Sequence, residues 1–148
     1  MVGARPNFVK AAPVVQALLP IQEFDVRLVH TVQHYDRVTS EVFFEELGLP
    51  KSDINLGVGS GSHAQITAEI ILQFQKVIER EKPRLVIVYG HVNSTVVCAL
   101  VCSKLETPLA HVEAGLRSFD RSMPEESNRI LTDPEDVNLF WTLNSKLT

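Results

Sequence analysis

Cysteine is nearly absent: Cys98 and Cys102 are the only two in 148 residues. They stand four apart in a wholly apolar stretch with no His or further Cys nearby. That excludes a disulfide framework and a metal cluster, and leaves two small buried hydrophobes. No apolar run approaches the roughly 20 residues a membrane span needs, and no signal peptide is read, so a cytoplasmic protein without membrane attachment is expected. Basic charge is also short. Lys and Arg number 14 against 18 Asp and Glu, for a net charge of −4. No basic face emerges, so nucleic acid is not expected as a partner. Glycine is sparse, and Gly57, Gly59 and Gly61 neither follow a convincing strand nor fit the dinucleotide fingerprint, so no NAD site is read. Repeats, low-complexity tracts and a linker are missing, and residues 1–148 read as one domain long enough for a core.

What is present is an alternation of short apolar runs and amphipathic segments. Leu85 to Tyr89, between Pro83 and Gly90, reads as a strand buried on both faces. Val96 to Lys104 is a helix that Asn93, Ser94 or Thr95 can cap. Pro108 to Val112 is a second strand, so the segment is a right-handed βαβ unit. Upstream, Asn7 to Leu19 reads as a helix with Phe8, Val9, Val14, Val15, Leu18 and Leu19 on its apolar side, kinked or started late by Pro13. Phe24 to His30 reads as a strand, Val38 to Leu47 as a helix ended by Gly48, and Asp53 to Leu56 as a short strand. Ala64 to Glu81 is a long helix with Ile66, Ile70, Leu72, Phe74, Val77 and Ile78 as its stripe. Downstream, Pro124 with Glu125 and Glu126 opens a helix that Asp133-Pro134 breaks, and Val137 to Trp141 is a last strand. The fold class is α/β: a Rossmann-like parallel sheet with helices on both faces, its first strand reduced to Met1 and Val2.

Chemistry gathers after the second strand. The carboxylates Glu113, Glu125 and Glu126, the imidazoles His91 and His111, and the cations Arg117, Arg121 and Arg129 crowd the carboxyl edge of the sheet, where ligands of open α/β sheets bind. Arg5 and Lys10 join from a neighbouring strand end, where free helix N–H groups favour an anion. Carboxylates beside fixed cations suit proton transfer on an anionic substrate. A surface salt-bridge network accounts for the same residues.

The strings Gly3-Ala4-Arg5-Pro6-Asn7-Phe8-Val9-Lys10-Ala11-Ala12-Pro13, Gln33-His34-Tyr35, Asn93-Ser94-Thr95, His111-Val112-Glu113-Ala114-Gly115-Leu116-Arg117 and Pro124-Glu125-Glu126-Ser127-Asn128-Arg129 resemble, in order, the motifs of the non-hydrolysing UDP-N-acetylglucosamine 2-epimerases. The resemblance implies the N-terminal half of a two-domain, glycosyltransferase-B-like enzyme with its active site between the domains. It implies interconversion of UDP-N-acetylglucosamine and UDP-N-acetylmannosamine by elimination and re-addition of UDP, a step toward cell-envelope polysaccharides. It implies no cofactor and no metal. Carried over by motif, Glu113, Glu125 and His91 fall at catalytic positions, and Arg5, Lys10, Arg117, Asn128 and Arg129 at substrate-binding ones. Gln33 and His34 match a region that in some bacterial members contacts a second, regulatory nucleotide sugar.

The chain departs from that pattern in four places. His91 stands where the family carries a catalytic Asp, which predicts severely reduced chemistry. Val32 replaces a turn Gly. The first strand is mostly missing, which is expected to leave its neighbours unpaired or to invite another chain. The sequence stops where a second domain follows in the family. The isolated chain is therefore expected to be inactive, with a UDP-N-acetylglucosamine-type ligand and either a C-terminal domain supplied in trans or a second copy as partner. The alternative is a degenerate nucleotide-sugar-binding or dimerisation module without catalysis.

Overall fold

The computed structural model describes residues 1–2, 5–31, 44–133 and 140–141. The elements are α1 (Arg5–Leu18), β1 (Val29–His30), β2 (Ile54–Asn55), α2 (His63–Glu81), β3 (Val86–Tyr89), α3 (Asn93–Lys104), β4 (Leu109–Val112), α4 (Pro124–Thr132) and β5 (Phe140–Trp141). All strand pairs are parallel: β1 with β2, β3 with β4, and β4 with β5. Met1 and Val2 join the two groups. Val2 bridges His30 of β1, and the Met1 amino group donates to the Ile87 carbonyl of β3 at 2.8 Å. With residues 1–2 as the first strand, the sheet order is 3-2-1-4-5-6, a doubly wound arrangement.

Side chains of β3 alternate between two cores. Val86 and Val88 pack with α2 and α3, while Tyr89 and Ile87 pack with α1, so helices cover both faces as the sequence predicts. Cys98 and Cys102 are free, buried members of the first core. Among the described residues no helix is long and apolar enough to cross a membrane.

Several expectations need correction. Helix α1 starts at Arg5 and runs through Pro13, so there is no late start. Its core face is Phe8, Ala11, Ala12 and Val15, whereas Val9 and Leu19 are exposed. In α2 the buried residues are Ile70, Phe74, Val77 and Ile78, and Leu72 faces solvent because it lies off that stripe. This helix is held at its start by a capping box between Ser62 and Gln65. Helix α3 has Val92 at its N-cap with no side-chain cap. The expected caps are engaged elsewhere: Asn93 Nδ2 donates to Thr67 Oγ1, and Thr95 Oγ1 donates to the Tyr89 carbonyl.

The predicted strand from Phe24 to His30 contracts to Val29–His30. Beside residues 24–28 there is a cavity of about 740 Å³ instead of a neighbouring strand. Leu28, Val29, Val86 and Ile87 flank it within the sheet, and Val15 and Phe74 close it from the two helix layers. The predicted tail strand is seen as Phe140–Trp141, and of the helix predicted from Val38 only 44–46 lie within the described residues.

Candidate functional site

The site forms where β3 and β4 end and α1 begins. Gly90 follows β3 with φ +61°, a conformation natural to glycine. A side chain there would also push aside the end of Lys10. A methyl built on Gly90 would lie 2.9 Å from Lys10 Nζ, 3.4 Å from Glu113 Oε2 and 3.6 Å from Asn7 Oδ1. Three polar side chains from two elements therefore converge over one bare backbone position. Lys10 Nζ is ion-paired to Glu113 Oε2, both side chains about a third exposed. Glu113 follows β4 at φ +74°, a left-handed backbone that is strained for a side-chain-bearing residue and typical of functional positions.

His91 comes next to Gly90. Arg129 Nη2 lies 3.1 Å from His91 Nε2, and Asn128 Nδ2 donates to the His91 carbonyl at 3.0 Å. Burial, then the neighbouring Arg129 cation, push the His91 pKa below its ordinary value, so the ring is neutral. Arg129 is fixed from its other side by Glu126 at 2.8 Å. Glu126 also accepts from Ser118 N and Oγ and from Phe119 N. The Ser118 amide and Arg129 pull its pKa down to about 2. Glu126 is buried and holds the loop after β4, while Glu125 is exposed on the first turn of α4.

Asp133 performs a similar task under the sheet edge. Its Oδ1 meets His111 Nδ1 at 2.7 Å, and its Oδ2 accepts from Gly115 N and Arg117 Nη1, both at 2.8 Å. Burial opposes its charge, but the Arg117, Gly115 and His111 hydrogen bonds outweigh that and hold its carboxyl below the usual range. His111 Nε2 faces the Gly90 carbonyl at 2.6 Å. A loop, a helix end and the Gly90 backbone are thus tied through one ring and one carboxylate.

Of the residues picked from the sequence, the structure brings together Lys10, His91, Glu113, Asn128 and Arg129. Arg117 is anchored on Asp133, and Glu125 makes no ion pair with any described residue. Arg5 opens α1, its side chain lying outside the described residues, as do Gln33, His34 and Val32. Asn7 and Asp133 were not singled out for the site in the sequence, and Glu126, grouped there with the edge carboxylates, is taken up by Ser118, Phe119 and Arg129. Asn7 is three residues before Lys10 on α1, a spacing that places both on one helix face and was the available signal. We expect Glu113→Gln and Glu125→Gln to shift the melting temperature by less than about 2 °C, as exposed or partly exposed carboxylates carry little of the fold. Calorimetry checks this, and a large drop for either would mark it as a structural ion-pair residue.

The sequence profile described as UDP-N-acetylglucosamine 2-epimerase matches residues 16–135. The chain is 50% identical over 140 residues to a UDP-2,3-diacetamido-2,3-dideoxy-D-glucuronate 2-epimerase of Pseudomonas aeruginosa, covering 95% of this chain and 40% of the relative. It is 46% identical to a UDP-N-acetylglucosamine 2-epimerase of Methanocaldococcus jannaschii, covering 95% and 38%. The crystal structure of the M. jannaschii UDP-GlcNAc 2-epimerase in complex with UDP-GlcNAc and UDP superposes with a TM-score of 0.83 at 48% identity, over 88% of this chain and 36% of that one. The Neisseria meningitidis UDP-GlcNAc 2-epimerase bound to UDP-GlcNAc gives 0.81 at 32% identity, over 88% and 35%. The chain spans about two-fifths of the length of the curated relatives it matches.

Proposed function

The chain belongs to the UDP-N-acetylglucosamine 2-epimerase family, and from that premise we propose that its site around Gly90 binds a UDP-2-acetamido sugar and supplies half of a centre for inversion at C2. The observation that carries this is the Lys10–Glu113 pair over Gly90, at the carboxyl edge of the sheet. A sugar C2–H is weakly acidic, so its removal needs a positioned base. Glu113 takes that proton, the C2–H electrons form a C1=C2 bond, and the C1–O bond to the diphosphate breaks. Lys10 neutralises charge on the departing UDP. Return of UDP to C1 and of a proton to the other face of C2 gives the epimer.

His91 does not serve as base in this scheme. Its Nε2 is taken by Arg129, a group that can only donate, so the ring proton sits on Nδ1. That contact favours a second reading, a nucleotide-sugar-binding domain without turnover. Both readings place the remaining diphosphate contacts and the exclusion of water outside residues 1–148.

UDP-N-acetylglucosamine and the 2,3-diacetamido glucuronate analogue are each titrated into the chain, followed by ligand-observed NMR at millimolar concentration. Saturable binding of either is expected, and absence of both sinks the proposal. Mixing with the C-terminal domain of a relative then separates the readings. Formation of the manno epimer supports the half-enzyme, and no turnover even for His91→Asp leaves the binding domain. A light-scattering mass of one chain would count against self-association.

A further inference from the structure

Among the described residues three buried side-chain atoms at the site lack a hydrogen-bond partner: Asn7 Oδ1, His91 Nδ1 and Arg129 Nε. Asn7 is only 1% exposed, and its oxygen faces the bare Gly90 backbone alongside Lys10 and Glu113. Oδ1 can only accept. His91 Nδ1 carries the ring proton because Nε2 accepts from Arg129, so Nδ1 can only donate. The site thus holds one unmet acceptor, Asn7 Oδ1, and two unmet donors, His91 Nδ1 and Arg129 Nε. A buried orphan of this kind is costly and calls for an explanation.

Ligand chemistry discriminates here. An ionised diphosphate offers acceptors alone, so it can answer His91 and Arg129 but not Asn7. A hydroxyl or a secondary amide offers both a donor and an acceptor. We infer that Asn7 and His91 read the neutral donor–acceptor groups of the hexose, its hydroxyls or acetamido group, and that the sugar, not the diphosphate, lies over Gly90. Asn7 is then the residue that makes the site prefer a nucleotide sugar to the bare nucleotide. This rests on the function proposed above.

The test compares UDP-N-acetylglucosamine with UDP on the chain and on Asn7→Leu, which keeps the shape and removes the acceptor. NMR titrations are expected to show sugar-nucleotide affinity falling about tenfold while UDP affinity holds. The melting temperature is expected to stay level or rise, since an unmet buried oxygen has gone. Unchanged preference in the variant, or equal loss of both ligands, overturns the inference. So does a lower melting temperature with preference intact, which would make Asn7 structural. A second readout needs no variant. In ¹⁵N-histidine spectra, His91 is expected as the Nδ1–H tautomer with a resonance that moves when the sugar nucleotide is added, and an Nε2–H tautomer overturns the assignment. Failure of the unaltered chain to bind either ligand removes the proposed function and this inference together, whereas binding without the change in preference removes this inference alone.

Discussion

Asp133→Ala is expected to destabilise the chain by about 3–5 kcal/mol, a fall of about 10–15 °C in melting temperature. The Asp133 side chain is 4% exposed and its two oxygens take three partners: His111 on β4, and Gly115 and Arg117 in the following loop. Truncation strands His111, which is 1% exposed and faces acceptors through both ring nitrogens. Loss of Asp133 takes the partner from His111 Nδ1, the Gly115 N–H and one Arg117 N–H at once. The loop that carries Glu113 loses its tether in the same step. Urea denaturation measures the effect, and a loss below 1 kcal/mol would mean that the network does not organise the site.

The pH dependence has a definite sign. The folded-state pKa of Asp133 is depressed, so its contribution is present above the unfolded carboxyl pKa and is lost as pH falls below it. Glu126 behaves alike, its folded pKa lying at about 2. Acid is therefore expected to release the loop after β4 before the two cores separate, and amide exchange in residues 115–123 at falling pH follows that order.

The central βαβ unit was legible because Pro83, Gly90 and Pro108 punctuate runs that leave no other choice of element. Site membership was legible only in part. Charged residues at the carboxyl edge were visible as a group, yet which of them face a ligand depends on partners far away in sequence. Arg117 and Arg129 look alike as loop-side cations. One is spent on Asp133, 16 residues on, and the other is held by Glu126 against His91, 38 residues back. Asp133 reads locally as a helix stop before Pro134, and nothing near it announces a histidine 22 residues earlier. Glu126 had one local hint, its i, i+3 spacing to Arg129. Helix caps failed for a related reason: Asn93 and Thr95 have better partners in Thr67 and the Tyr89 carbonyl, and those exist only once α2 and β3 are packed.

Acetylation of the Met1 amino group is expected to stabilise the chain by up to about 2 kcal/mol at pH 6 and by almost nothing above pH 8. The amino group lies between β1 and β3, donating to the Ile87 carbonyl, and burial lowers its pKa from 8.0 to about 6. Between those values the unfolded chain binds the proton and the folded chain does not, so stability rises with pH across the window. Below pH 6 both states are charged and the full penalty of burying an ammonium remains. An amide keeps the N–H for Ile87 and abolishes the charge. Joining four or five apolar, β-branched residues to Met1 goes further. In the parallel ladder the odd-numbered residues Val29 and Ile87 already bond residues 1–2. An extended segment continuing that alternation runs down the cavity between Leu28 and Val86 and covers apolar walls that now face a void. A Gly/Ser extension of equal length removes the same charge but buries little, so the difference in urea midpoint between the two extensions isolates strand insertion. Equal midpoints would show that the cavity does not accept a strand, and a pH profile unchanged by acetylation would show that the Met1 amino group is solvated in the folded chain.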